Sequence, residues 1–317
     1  MCLYKRLIRN KRYEPNKKNK GNPPQCKDER KRYVWAECGR CIECRAKRRR
    51  EWAMRLEAEL KEEPNALFVT LTISNRSMTS LRKDANSSRP NDIATLATRR
   101  FLERVRKETG KSIKHWIVTE LGEEKGRIHL HGIIWSKKSL IERHWKYGFT
   151  FIGDHVGIDS IHYITKYMLK LNENDKNFIG KVLCSKGLGQ NYCSTWNNVI
   201  RHTYKGEDTC TEVITDNGAK IQLPVYWKRK LFTEEERDEL FRYNLDRNIT
   251  YIHGEKISTF DNEEEINNLT IYYRELMEKT IGEPNWLEVI KDRWARWARY
   301  RKRERNHEIK PPKEDGE

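Results

Sequence analysis

The sequence predicts an α+β protein, a mostly antiparallel sheet with helices on one side. Three observations predict it. Short runs rich in β-branched and aromatic residues alternate with longer stretches whose apolar residues recur at spacings of three and four. Two of the runs, residues 113–120 and 127–135, are joined only by residues 121–126, which makes a hairpin. The order strand, helix, hairpin, strand, helix favours an antiparallel layer covered by helices.

Taken in order, residues 1–50 are basic, cysteine-rich and broken by Pro23-Pro24, and read as an irregular arm. From about Cys41 the pattern is helical, with Trp52, Ala53, Leu56 and Leu60 interleaved with Arg and Glu until Glu63-Pro64-Asn65 ends it. Residues 66–73 read as a buried strand. A loop is expected through Ser87-Ser88-Arg89-Pro90, after which Asn91 or Asp92 caps a helix. Ile93, Ala97, Phe101 and Val105 form its apolar stripe, and Gly110 stops it. The hairpin strands follow, then a short strand at 149–152, then a helix opened by Ser160 that holds Tyr163 and Tyr167. Beyond about residue 180 the signal weakens. Residues 184–189 read as a turn, and Thr233-Glu234-Glu235-Glu236 as a capping box before a polar helix. A further helix is expected over 263–279. A last one is expected from near Asn285, with Trp286, Leu287, Ile290, Trp294 and Trp297 on one face and Arg293, Arg296, Arg299, Arg303 and Arg305 on the other. The tail from Lys310 is polar and expected to be mobile. No internal repeat is evident.

Composition narrows the partners. Apolar residues make up 36% of the chain and charged residues 35%. That describes a modest core within much solvated surface. Lys and Arg total 64 against 47 Asp and Glu, a formal net charge of +17. A chain this basic is expected to meet a polyanion, nucleic acid above all. No apolar run approaches the ~20 residues that span a bilayer, and the N-terminus lacks a signal-peptide apolar core, so no membrane role is expected.

Chemistry concentrates in two segments. In the strand Arg127-Ile128-His129-Leu130-His131-Gly132, residues two apart share a face, so His129 and His131 stand side by side. Such a pair is half of a metal site. Glu120 ends the neighbouring strand and is brought back by the turn. Two imidazoles and one carboxylate leave coordination positions open, as a catalytic metal requires. Glu123 also lies in the hairpin, but in the turn, so Glu120 is preferred. In Tyr163-Ile164-Thr165-Lys166-Tyr167 the tyrosines are four apart, neighbours on one helical face, with Lys166 at the rim. A tyrosine pair alone most often packs as an aromatic stripe. Beside a metal strand, the hydroxyls become candidate nucleophiles for a phosphodiester.

Of eight cysteines, five fall within the first 44 residues. Cys38, Cys41 and Cys44 form C-x2-C-x2-C, which suits a structural Zn2+ with a fourth thiolate from Cys26 or Cys2, Cys26 being taken as the candidate. Reduced thiols at a helix start are the plainer reading. Arg45, Arg48, Arg49 and Arg50 form a basic block, and Arg293 and Arg296 belong to a second one with interleaved aromatics. Both suit single-stranded DNA, whose phosphates meet Arg and whose bases stack on rings.

Phe68-Val69-Thr70-Leu71-Thr72, His129-Leu130-His131-Gly132 and Tyr163-Ile164-Thr165-Lys166-Tyr167 stand in the order of the three motifs of HUH rolling-circle replication initiators. The chain most resembles those of microviruses, the small single-stranded DNA phages. Cys38 to Cys44 with Trp52, Ser185-Lys186-Gly187-Leu188-Gly189 and Leu223-Pro224-Val225-Tyr226-Trp227 are similar to further segments of that group. The resemblance covers about residues 34–230. It implies the HUH endonuclease fold, a central antiparallel sheet of about five strands flanked by helices. It implies a Mg2+- or Mn2+-dependent endonuclease and strand transferase on single-stranded DNA, with His129, His131 and Glu120 as metal ligands. Tyr163 and Tyr167 would be the nucleophiles, with Lys166 assisting. The implied role is to nick the replication origin through a phosphotyrosine intermediate and later rejoin the strand, in the host bacterial cytoplasm. No Walker A motif is present, so a host helicase and polymerase are expected partners. The chain then divides into a cysteine-rich basic arm (1–50), an endonuclease domain (51–230) and a helical basic C-terminal region (231–317). A transposase-like strand transferase and a non-catalytic zinc-containing nucleic-acid-binding protein are the competing functions.

Overall fold

The computed structural model describes residues 2–122, 126–170, 178–215, 218–252, 255–258 and 263–281. Strands β1 (Arg6–Arg9) and β2 (Tyr33–Ala36) pair antiparallel. The arm is therefore not irregular throughout; four-residue strands in a basic segment carry too little alternation to be read. Helix α1 (Ile42–Glu62) begins at Cys41, whose sulfur accepts the Cys44 N–H. Strand β3 (Leu67–Thr72) follows.

The expected loop after β3 is largely a helix, α2 (Asn75–Ala85), capped by the Ser74 hydroxyl and closed by Asn86 in the left-handed region at φ 46°. It buries only Leu81 among its own residues, so it shows no apolar stripe to find. Helix α3 (Pro90–Thr109) starts with Pro at its first position, after Arg89. Neither Asn91 nor Asp92 caps it, because Pro is preset for the first turn. The Asn91 side chain instead accepts from Thr119 Oγ1 and donates to the Ile179 carbonyl. Gly110 ends α3 at φ 70°, as expected.

Strands β4 (Lys114–Leu121) and β5 (Ile128–Trp135) form the hairpin. Then come α4 (Lys138–His144), unforeseen, β6 (Thr150–Gly153), α5 (Ile158–Lys166) and β7 (Val182–Cys184). Helix α5 opens at Gly157, with Ser160 completing the cap. The sheet order is β6-β3-β5-β4-β7, with every pairing antiparallel. The fifth strand begins inside a stretch read only as a turn, since three residues carry no period.

The helices lie on both faces of the sheet, not on one as expected. Val69, Leu71, Ile117, Leu130 and Ile134 face α2, α3 and α4 through Leu81, Phe101 and Ile141. Trp116, Val118, Ile133 and Trp135 face α1 and α5 through Leu56, Ile161 and Ile164. The central strands are apolar on both sides and must be covered on both. Burying each such large side chain stabilises by roughly 1.5–3 kcal/mol.

Beyond the sheet come α6 (Trp196–Arg201), the paired β8 (Glu212–Ile214) and β9 (Lys220–Gln222), α7 (Val225–Leu231) and α8 (Glu234–Asp246). Helix α8 carries the expected capping box between Thr233 and Glu236. Paired β10 (Ile249–Ile252) and β11 (Glu255–Ser258) precede α9 (Glu263–Ile281). Both later motifs pack on α1. Arg55 donates to the Leu188 carbonyl and lies 3.9 Å over the Tyr226 ring, while Trp227 Nε1 donates to the Gly189 carbonyl at 2.7 Å. A side chain at Gly189 would meet the Arg55 carbonyl oxygen at 2.6 Å, so that turn needs glycine. The helix expected from near Asn285 lies outside the described residues.

Candidate active site

The β4–β5 register sets Glu120 directly opposite His129, and β3 sets Thr70 opposite His131. Directly paired residues point to the same face. On that face His131 Nδ1 lies 3.1 Å from Thr70 Oγ1 and Nε2 lies 2.7 Å from Glu120 Oε2. The ring is thus held by both nitrogens. One ligand atom each from Glu120, His129 and His131 falls within 4.8 Å of the others. Burial pushes the His129 imidazole below its usual range against the pull of Glu120, which favours the neutral, metal-ligating form. Two imidazoles and a carboxylate are donors suited to a divalent cation with positions left over. Glu123, the alternative carboxylate, lies outside the described residues.

Gly132 lets the two strands close at this point. A Cβ there would sit 2.8 Å from both the Trp116 carbonyl oxygen and Ile117 Cγ1. Gly122 does the same for His129, where a Cβ would meet the imidazole Cε1 at 3.0 Å.

Helix α5 delivers the tyrosines from above. It ends at Lys166, and Tyr167 is its C-cap, still helical at φ −60° and ψ −21°. Both tyrosines therefore keep one face, although the helix stops sooner than expected. The Tyr167 ring lies flat on His131, centroids 3.9 Å apart and planes 5° from parallel. Its hydroxyl donates to that of Tyr163 at 3.0 Å. Burial, the bond to Tyr163 and the charge of Glu120 all raise the Tyr167 hydroxyl above its ordinary range. Tyr163 is 53% exposed.

Lys166 is exposed on α5, whereas Lys170 reaches the site. Its Nζ lies 2.5 Å from Glu120 Oε1. Burial pushes the Glu120 carboxyl up, but hydrogen bonds from His131 and Lys170 outweigh it and hold the group below its usual value. Reasoning from sequence passed over Lys170. The available signal was a lysine three residues after each tyrosine.

The cysteine assignment changes as well. Cys2, not Cys26, joins Cys38, Cys41 and Cys44, with all four sulfurs within 4.8 Å of one another. Cys26 is elsewhere, its thiol donating to the Asp28 carbonyl. Of the basic block, Arg45 is buried, donating to the carbonyls of Arg40 and Lys170. Burial suits it to holding backbone, not phosphate. Arg48 is exposed, and Arg49 and Arg50 are half-buried. Arg293 and Arg296 lie outside the described residues. Two aromatics escaped notice: Phe149 is 69% and Phe151 54% exposed. Phe151 pairs with Thr70 across β3 and β6, on the same sheet face as His131.

Residues 66–172, from β3 through the tyrosine segment, match a family model of replication-associated proteins of the ORF2 type. The chain is 28% identical over 236 residues to the Replication-associated protein ORF2 of Spiroplasma virus 4, covering 64% of this chain and 69% of that one. It is 26% identical over 247 residues to the Replication-associated protein ORF4 of Chlamydia phage 1, covering 65% of this chain and 57% of that one. No solved structure matches. No helix among the described residues is long and apolar enough to cross a membrane. The matched segment begins at the β3 motif and ends after the tyrosines, and the resemblance to phage rolling-circle replication initiators read from those motifs holds.

Proposed function

We propose that the protein is an HUH-class endonuclease and strand transferase that nicks single-stranded DNA at a phage replication origin and later rejoins it. The observation that carries this reading is the stack of Tyr167 on His131, which brings two linked phenol hydroxyls to the Glu120–His129–His131 group. Glu120, His129 and His131 would hold Mg2+ or Mn2+, which polarises the scissile phosphate when bound. A tyrosine Oη attacks phosphorus, the bond to the 3′ oxygen breaks, and the phenolic proton passes to that oxygen. The products are a 5′-phosphotyrosine and a free 3′ hydroxyl, which serves as primer. Attack by a 3′ hydroxyl on the phosphotyrosine reverses the step and seals the strand. A second tyrosine, 3.0 Å from the first, supplies a nucleophile for another transfer while the first is occupied.

Lys170 takes the assisting place assigned to Lys166, since its ammonium meets Glu120 and balances that carboxylate. Exposed Phe151 on the site's face would stack a base of the bound strand. The reading keeps residues 51–230 as the endonuclease domain, between the arm and the basic C-terminal region. It places the work in the host cytoplasm, with host helicase and polymerase supplying unwinding and synthesis.

The test is a labelled single-stranded origin fragment incubated with protein and Mn2+, then denatured. A covalent protein–DNA adduct is expected, lost in His129→Ala and His131→Ala while DNA binding survives. No adduct on any origin-derived substrate would overturn the proposal.

A further inference from the structure

The four thiols at the N-terminus stand apart from the proposed nuclease site and have no part in its chemistry. We infer that Cys2, Cys38, Cys41 and Cys44 form a structural tetrathiolate site for a single zinc ion. Cys38 Sγ lies 3.8 Å from Cys44 Sγ, and Cys41 Sγ lies 3.9 Å from Cys2 Sγ. Zn–S bonds of about 2.3 Å at tetrahedral angles put ligand sulfurs about 3.8 Å apart. A four-iron cluster would spread its cysteine sulfurs to about 6 Å, beyond the 4.8 Å limit observed here. A disulfide would need about 2.05 Å.

The backbone around the group is arranged for thiolates. The N–H groups of Arg40 and Cys41 both point at Cys38 Sγ, at 3.4 and 3.3 Å. Cys38 N–H points at Cys2 Sγ at 3.2 Å and Cys44 N–H at Cys41 Sγ at 3.5 Å. Such donors favour the charged sulfur that binds a metal. The left-handed turn at Gly39, φ 72°, allows Cys38 and Cys41 to converge. Four thiolates on Zn2+ carry two net negative charges, and buried Arg45 faces them with its positive one.

Position explains the role. The centre joins Cys2, just ahead of β1, to the first turn of α1. From that turn Arg45 holds the Lys170 carbonyl, behind the lysine that meets Glu120. From α9, Tyr273 packs on the cysteines and Arg274 donates twice to the Leu3 carbonyl, at 2.7 and 3.1 Å. Zinc would fasten three segments remote in sequence where few apolar side chains are available.

The test uses the full chain carrying His129→Ala and His131→Ala, so that the nuclease site cannot contribute. Protein purified without chelator should hold about one zinc per chain, as one tetrahedral site requires. Replacing zinc by Co2+ should give the visible bands and sulfur-to-metal charge transfer of four-thiolate coordination. Cys26→Ser should keep both the metal and the spectrum; Cys2→Ser should lose or alter them. Zinc-free protein with every thiol open to a titrant would overturn the inference. So would iron in place of zinc, or metal lost with Cys26→Ser and kept with Cys2→Ser. None of these readouts involves DNA cleavage, so the nicking reading can fail without touching this one.

Discussion

Tyr163 and Tyr167 are four residues apart and stand in unlike surroundings. Tyr167 is pinned on His131 and gives its proton to Tyr163, so its own oxygen is the poorer nucleophile. Its raised hydroxyl stays protonated at neutral pH. Tyr163 is exposed to an incoming strand and receives a hydrogen bond that would stabilise its phenolate. Tyr163→Phe should therefore cut the first adduct by roughly two orders of magnitude or more, the loss of an activated nucleophile. Tyr167→Phe should leave the first adduct and block transfer to a second strand. Gel analysis of adduct and joined product separates the two, and equal losses in both variants would refute the order. At this scale the sequence disclosed what periodicity carries: His129 and His131 on one face, Glu120 across a hairpin, two tyrosines one turn apart. It did not disclose Lys170, because the helix stops at Lys166 and the chain turns before that lysine reaches Glu120. Nor could it choose Cys2 over Cys26, since that choice is made by the path of β1 and β2 rather than by spacing.

Among elements, β5 carries the most constraint. One of its faces presents Ile128, Leu130 and Ile134 to one core, and the other presents His129 and His131 with Ile133 and Trp135 behind them. Gly132 sits between, where any side chain would strike the Trp116 carbonyl. The obstacle is backbone, so it cannot swing aside. Gly132→Ala should cost about 1–3 kcal/mol through overpacking. It should also part β4 from β5 and with them Glu120 from His129. The denaturation midpoint and the adduct yield, both measured where the variant is still folded, should fall together; an unchanged midpoint would contradict the close approach. Long, strongly patterned elements such as α3 and β5 were legible because burial imposes a period. Helix α2, with one buried residue of its own, and three-residue β7 were not. Covering helices on both sheet faces follow from side chains that alternate between two apolar cores, a pattern that a short strand shows only weakly.

Across the whole molecule the excess of positive charge should govern affinity without governing chemistry. With a net charge of +17, binding to single-stranded DNA should weaken linearly on logarithmic axes as salt rises. The structure separates arginines that sequence grouped together. Arg48 is exposed and free to meet phosphate, whereas Arg45 is buried with its guanidinium on the carbonyls of Arg40 and Lys170. If Arg48 neutralises one phosphate, Arg48→Ala should shallow the salt slope by about 0.7, the value for one contact on a single strand. The adduct rate at saturating DNA should hardly change. Arg45→Ala should do the reverse: it should leave the slope alone and slow adduct formation, because the Lys170 segment loses its tether beside Glu120. Fluorescence anisotropy across a salt series, paired with single-turnover adduct formation, reads both quantities from the same preparations. A reduced slope in Arg45→Ala with an unimpaired rate would mean that this arginine reaches DNA after all, and that the cysteine-bearing turn and the nuclease site are not mechanically joined.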